Sequence, residues 1–202
     1  MLDNSHRIGL AEGHVAPDGF SLARARPYQK AVLVLGFAIL TWVGARISVP
    51  LPFTPVPGTL QVLPVLLAGA LLGARAGAAS QAIYLLCGVA GLPVFALPGA
   101  GPGYLLGPTG GYLIGFVGAA YVTGSVLAGL RRPGLPGAAL AFLAGGVVIH
   151  ACGLAWLAVF LGDPGAALRA GLLPFVLFDL AKIVVATGIY AGSMRWKART
   201  LS

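Results

Sequence analysis

Charge is what this sequence has least of. Only 9% of its 202 residues are Asp, Glu, Lys or Arg, against 58% hydrophobic residues. A soluble domain is about one-quarter charged, so these charges are too few to cover a water-exposed surface of this size. Acidic residues are scarcest, five against thirteen Lys and Arg, for a net charge of +8. Cysteine is nearly absent. Cys87 and Cys152 stand in different apolar stretches, without CxxC spacing or a histidine set, which excludes a zinc site. They read as buried thiols acting as small hydrophobes. No nucleophile is paired with a base, so a membrane enzyme is disfavoured. The glycine-rich stretches lack the Lys-Ser/Thr ending of a Walker loop and the signature of a potassium filter.

What the chain has instead is long apolar runs. A membrane-crossing helix needs about 20 mostly apolar residues. Six segments qualify as candidates: 31–48, 60–74, 76–92, 109–130, 137–161 and 172–192, the second and third separated only by "GARAG". The expected fold is an all-α integral membrane protein with six transmembrane helices, in one domain over residues 31–195. Residues 1–30 are polar and read as a flexible cytoplasmic tail, a surface helix being the alternative. They do not read as a secretory signal. Residues 196–202 form a short basic tail.

The basic excess follows topology. With a cytoplasmic amino terminus, Arg7, Arg24, Arg26, Lys30, Arg75, Arg131, Arg132, Arg195, Lys197 and Arg199 fall inside, and only Arg46 and Arg169 outside. Ten against two follows the positive-inside rule. Both termini are expected on the cytoplasmic side of a multi-pass cell-membrane protein, in contact with lipid and not with nucleic acid.

Two connections then stand on the outer side. "SVPLPFTPVPGTLQ" (48–61) has four prolines within 50–57. Each locks its own φ and pushes its predecessor toward extended backbone. The segment reads as a stiff strap, the lid or wall of a site. "GLPVFALPGAGPGYLLGPTGGY" (91–112) carries no charge and is dense in Gly and Pro. Non-helical backbone at membrane depth is tolerated only where it is buried in protein or lines a cavity. Thr109 is expected to cap the helix that "GPTGGY" opens, whose free N–H groups suit an anion or a carbonyl.

Asp179 and Lys182 interrupt the last apolar run, "FVLFDLAKIVVATGIY". Three residues apart, they share one helix face. A start near 172 places them roughly 10–16 Å down the helix. An ionisable side chain at the bilayer centre costs about 2.5–3.5 kcal/mol, so both must face the bundle or a cavity. Either they neutralise each other or they anchor a ligand at the floor of an outward-facing pocket. The second reading is preferred, because a buried ion pair is often no better for stability than apolar residues. His150 reads as a satisfied structural histidine, the alternative being a side chain turned to the bundle interior.

Four stretches in this order and spacing carry a family resemblance: "SVPLPFTPVPGTLQVLPVLLAGALLGARAG", "YLLCGVAGLPVF", "GPTGGYLIGF" and the "DLAK" of the last run. The chain resembles the BioY family, the biotin-specific S components of energy-coupling factor (ECF) transporters, over about residues 31–195. The resemblance implies the six-helix S-component bundle, biotin captured from outside, and no ATPase in the chain itself. It implies partners too, a transmembrane T component and two cytoplasmic ATPases, and uptake with the S component tilting in the membrane. It also implies that Asp179 and Lys182 contact the biotin head group. The chemistry agrees: a carboxylate accepts from the ureido N–H groups, and an ammonium donates to the ureido oxygen. Tyr112 and Gly110 of "GPTGGY", with Phe53, Phe95 and Tyr84, are candidate walls. Gln81 and Gln61 are candidate polar contacts or structural hydrogen bonders. No catalytic residue, metal or cofactor is expected.

Two features depart from the family. The family can hold the ureido ring with an amide near the third helix and its following loop, and "VFALPGAGPG" (94–103) offers none. The family's Ala-x-x-x-Ala docking face is blurred in the first run, where the small residues are Gly36, Ala38, Gly44 and Ala45. The rival readings are a self-sufficient or proton-coupled carrier and a purely structural subunit.

Overall fold

The computed structural model describes residues 26–130 and 133–200, with side chains as far as 196. Most of the expected amino-terminal tail and the pair Arg131 and Arg132 lie outside the described residues. Among the described residues eight helices follow one another: α1 (Pro27–Arg46), α2 (Val62–Leu72), α3 (Ala74–Val89), α4 (Pro102–Leu105), α5 (Gly110–Gly129), α6 (Leu135–Leu161), α7 (Pro164–Gly171) and α8 (Val176–Thr200). Each expected apolar run is helical over most of its length. Four helices among the described residues, α1, α5, α6 and the Val176–Trp196 part of α8, are long and apolar enough to cross a membrane. At 11 and 16 residues, α2 and α3 fall short of the roughly 20 that a crossing requires.

The helix ends have local causes. Pro27 opens α1, where a missing N–H costs nothing, and the Gln29 side chain accepts from the Arg26 N–H at 2.9 Å. Gly73, at φ +83°, parts α2 from α3 in a conformation that favours glycine. The left-handed Gly162 ends α6. Asp163 caps α7, its carboxylate accepting from the Gly165 N–H at 2.7 Å. Thr109 holds the N-cap position of α5, but its side chain makes no capping bond, against expectation. Its backbone is already helical there, so the hydroxyl is not aimed back at the first-turn donors.

Packing is centred on α5, which lies along α6, α3 and α2, while α8 closes against α6 and α2, and α1 against α3 and α2. Backbones come into close contact where α5 meets the α2–α3 joint. A Cβ at Gly124 would lie 2.7 Å from the Gly69 carbonyl oxygen and closer still to Ala74, and one at Gly69 would run into Ala120. Small residues are the usual means of such close helix contact in membranes. Large apolar side chains face outward instead, among them Val159, Leu177 and Val184, each more than 70% exposed. That surface suits lipid.

The proline-rich strap is not helical, as expected. It closes on itself through a two-residue antiparallel pairing, Ser48 with Thr59 and Val49 with Gly58. The second connection contains one feature its composition hides, the single-turn helix α4. The last helix differs more. Residues 172–175 form a turn containing Pro174, and α8 starts at Val176. Asp179 therefore lies in its first turn, much closer to the helix start than a start at 172 places it. At its other end α8 runs through to Thr200, so residues 196–200 continue the helix.

Candidate functional site

A cavity opens at the end of the bundle where the two connections meet. Its walls come from the strap (Val56, Pro57, Thr59), the start of α2 (Gln61, Val62), the second connection (Ala96, Tyr104, Thr109), α5 (Tyr112, Leu113, Phe116), α6 (Ile149, His150) and the entry to α8 (Phe175, Asp179, Lys182). Most of this surface is apolar, with a few convergent polar groups, the usual make-up of a small-molecule site.

Charge is confined to one corner of the lining. Lys182 Nζ donates to Asp179 Oδ1 at 2.7 Å. His150 Nε2 stands 3.2 Å from Asp179 Oδ2. The three side chains are only 13–16% exposed. His150 Nδ1 also faces the Gly146 carbonyl at 3.0 Å. Both partners of this ring are acceptors, so both contacts are hydrogen bonds only when the imidazole carries both protons. The first turn of α8 adds a further attraction, since a helix amino end favours a carboxylate. His150 thus belongs to the charged cluster: its ring is satisfied within the protein and also turned to the bundle interior, where it lines the cavity. Sequence periodicity cannot show this, because α6 is apolar on every side. The one available signal was that His150 is the only other ionisable residue well inside an apolar run.

The remaining expected site residues divide. Tyr112 lines the cavity and donates to the Gly171 carbonyl at 2.9 Å, tying α5 to α7. Its ring meets His150 edge-on at 6.2 Å. Four of the others serve the frame, and one stands free of it. Phe95 is fully buried, stacked on Tyr104 at 5.0 Å and edge-on to Tyr84 at 5.7 Å. Tyr84 donates to the Val94 carbonyl at 3.0 Å and accepts from the Gln61 amide at 2.6 Å. Gln81 is buried between Thr41 and Ser80, accepting at 3.1 Å and donating at 2.9 Å. Gly110 lies under the Leu105 carbonyl with no room for a side chain. Phe53 is 66% exposed, in a turn at the tip of the strap. None of these five is among the lining residues. Gln61, whose role was left open, is among them, and so are Thr59 and Tyr104. Burial pushes the Tyr104 phenol above its ordinary value, so it remains a neutral hydroxyl, donating to the Ala96 carbonyl at 3.1 Å.

Both connections are fastened to the bundle. Thr54 Oγ1 donates to the Ala170 carbonyl at 2.7 Å, and Trp156 Nε1 to the Gly107 carbonyl at 2.9 Å. The space left between them is about 60 Å³, room for a few waters at roughly 15 Å³ each. Among the described residues, no group of three or more His, Cys, Asp or Glu is placed to hold a metal ion. Cys87 and Cys152 are free thiols, half-buried rather than fully buried.

Three comparisons bear on these features. A solved structure described as the S-component for biotin from an ECF-type ABC transporter shares the fold, with a TM-score of 0.78 and 24% identity over 83% of this chain and 92% of that one. The biotin transporter BioY of Thermotoga maritima is 43% identical over 150 residues, which are 74% of this chain and 86% of the relative. A probable biotin transporter BioY of Pyrococcus horikoshii is also 43% identical, over 76% of this chain and 89% of its own length. The biotin transporter BioY of Rhodobacter capsulatus is 38% identical over 81% and 92%. The model of the BioY family matches residues 18–199, nearly the whole chain, and on that match the chain belongs to the BioY family.

Proposed function

We propose that this chain is the substrate-binding membrane subunit of a biotin uptake system, with Asp179 and Lys182 recognising the ureido group. The observation that carries the reading is the ionic corner of an otherwise uncharged, mostly apolar cavity, in a chain whose relatives are named biotin transporters. The ureido ring offers two N–H donors and one accepting oxygen. Asp179 matches the donors, and Lys182, whose ammonium keeps N–H groups beyond the one given to Asp179, matches the oxygen, while His150 holds the carboxylate in place. Gln61 supplies, from the start of α2, the amide that residues 94–103 lack. The thioether ring and alkyl chain of the vitamin suit the apolar walls around Tyr112, Phe116 and Ile149.

The full reading takes α2 and α3 as a hairpin inside a six-helix S-component bundle, with both termini cytoplasmic and the two connections outside. Biotin is captured there and carried inward with a T component and two ATPases, the chain itself not acting as an enzyme. A ligand of this size needs a pocket of about 300 Å³ or more. The strap and the second connection must therefore move apart to admit it.

The test is a pair of charge changes read by biotin affinity and thermal stability. Losing a hydrogen bond to a buried charged group costs about 1.5–3 kcal/mol, or roughly ten- to a hundredfold in affinity. Asp179→Asn keeps the shape and one acceptor, so it should weaken binding less than Asp179→Ala. Lys182→Met alone leaves a buried carboxylate short of a partner and should also destabilise the fold. In the double variant Asp179→Asn/Lys182→Met, folding should recover while biotin binding stays lost. A well-folded double variant with wild-type affinity would return the pair to a merely structural salt bridge.

A further inference from the structure

We propose that the site reads the bicyclic head of biotin and not the charge of its tail, so that neutral amides and esters of the carboxyl group are ligands of the same site. The inference rests on the ureido group meeting Asp179. With the head at that corner, the acyl tail must run toward another part of the lining.

Among the described residues, every charged group of the lining sits in that one corner. Asp179, Lys182 and His150 are joined by contacts of 2.7 and 3.2 Å, and with the head against Asp179 and Lys182 none of the three is left for the tail. The polar lining elsewhere is neutral: Thr59, Thr109, Tyr104 and the Gln61 amide. Two arginines stand near this end of the bundle, and both are held away from the cavity. Arg46 donates to the Pro93 carbonyl and lies 5.6 Å over the Trp42 ring. Arg169 is 70% exposed and pairs with Asp163 at 3.6 Å on α7. Neither is among the lining residues.

A carboxylate taken out of water without a cation or a full set of donors is heavily penalised. A tail with no cation to meet is therefore best placed at the mouth, with its charge still hydrated. A group that stays in water contributes little to affinity, and removing its charge forfeits little. The neutral hydroxyl groups of the lining serve a neutral carbonyl as well as an acid.

Titration calorimetry on the intact purified protein tests this with biotin, biotin carboxamide, biotin methyl ester and an analogue methylated on the ureido nitrogens. The amide and the ester should bind within threefold of biotin, while the ureido-methylated analogue should lose at least tenfold. Arg46→Gln and Arg169→Gln should leave the affinity for biotin within threefold. A larger loss for the amide and ester, with biotin binding intact, would mean that a cation reads the acid. So would a larger loss in either arginine variant. Either result overturns the inference and leaves biotin recognition standing. Unchanged binding of the ureido-methylated analogue would instead remove the head-group reading, and the inference with it.

Discussion

His150 is the residue whose importance the fold changes most. It stands on α6, facing a carboxylate on α8, and Asp179 has one oxygen on Lys182 and the other on His150. The carboxylate is thus held from two helices at once, and its orientation does not depend on the Lys182 side chain alone. Removing the imidazole frees Oδ2 and lets Asp179 rotate. His150→Ala should therefore weaken biotin binding by roughly tenfold, near the lower cost of a lost charged hydrogen bond. His150→Gln, which retains an N–H donor of comparable reach, should lose less. Calorimetry on both variants checks this. If His150→Ala lowers only the unfolding temperature and leaves affinity unchanged, the ring is packing and no part of recognition.

The elements divide into a rigid frame and a movable roof. In the frame, glycine decides how near α5 comes to α2 and α3. Replacing Gly by Ala inside a helix raises propensity by about 1 kcal/mol, yet at Gly124 the new methyl would meet Ala74 and the Gly69 carbonyl. Overpacking of this kind costs about 1–3 kcal/mol, so Gly124→Ala should lower thermal stability. At Gly129 nothing lies within 4 Å of the added atom, and Gly129→Ala should be neutral or stabilising. A thermal melt of the two variants shows whether the signs differ. The roof is tied to the frame at separate points, by Thr54, Trp156, Tyr84 and Arg46, and the cavity beneath it is smaller than its proposed ligand. Residues 92–107 should therefore exchange amide hydrogens more slowly when biotin is bound. Prolines 50–57 leave too few amides to report. Exchange in 92–107 that is indifferent to saturating biotin would count against closure there.

For the whole molecule, orientation decides from which side the vitamin enters. Phe53 and Leu97 are both more than half exposed on the two connections, and Arg75 is exposed at the opposite turn, in the first turn of α3. In a background without Cys87 and Cys152, Phe53→Cys and Leu97→Cys should react with an impermeant thiol reagent on intact cells, and Arg75→Cys should not. The reverse pattern would place the site on the cytoplasmic face and overturn capture from outside.

Composition and charge alone determine that this chain lives in a membrane. Hydration cannot be satisfied by so few charged residues, and apolar runs of that length bury themselves in lipid or protein whatever their neighbours do. The helical runs, the non-helical proline strap and the shared face of Asp179 and Lys182 follow from local rules of backbone sterics and helical repeat, so they were legible before any folding. The start of α8 was less so, because a proline near an apolar edge is compatible with either a first turn or the turn before it. The lining of the cavity was legible only in part. Aromatic residues in suggestive loops look alike in sequence. Whether Phe95 packs inward while Phe53 points outward depends on how distant segments meet. The same holds for His150 and Gln61, which reach the site because α6 and α2 both pack against α8. Only that three-dimensional packing could bring an imidazole 29 residues earlier in the chain within 3.2 Å of Asp179, since no local rule relates side chains on separate helices.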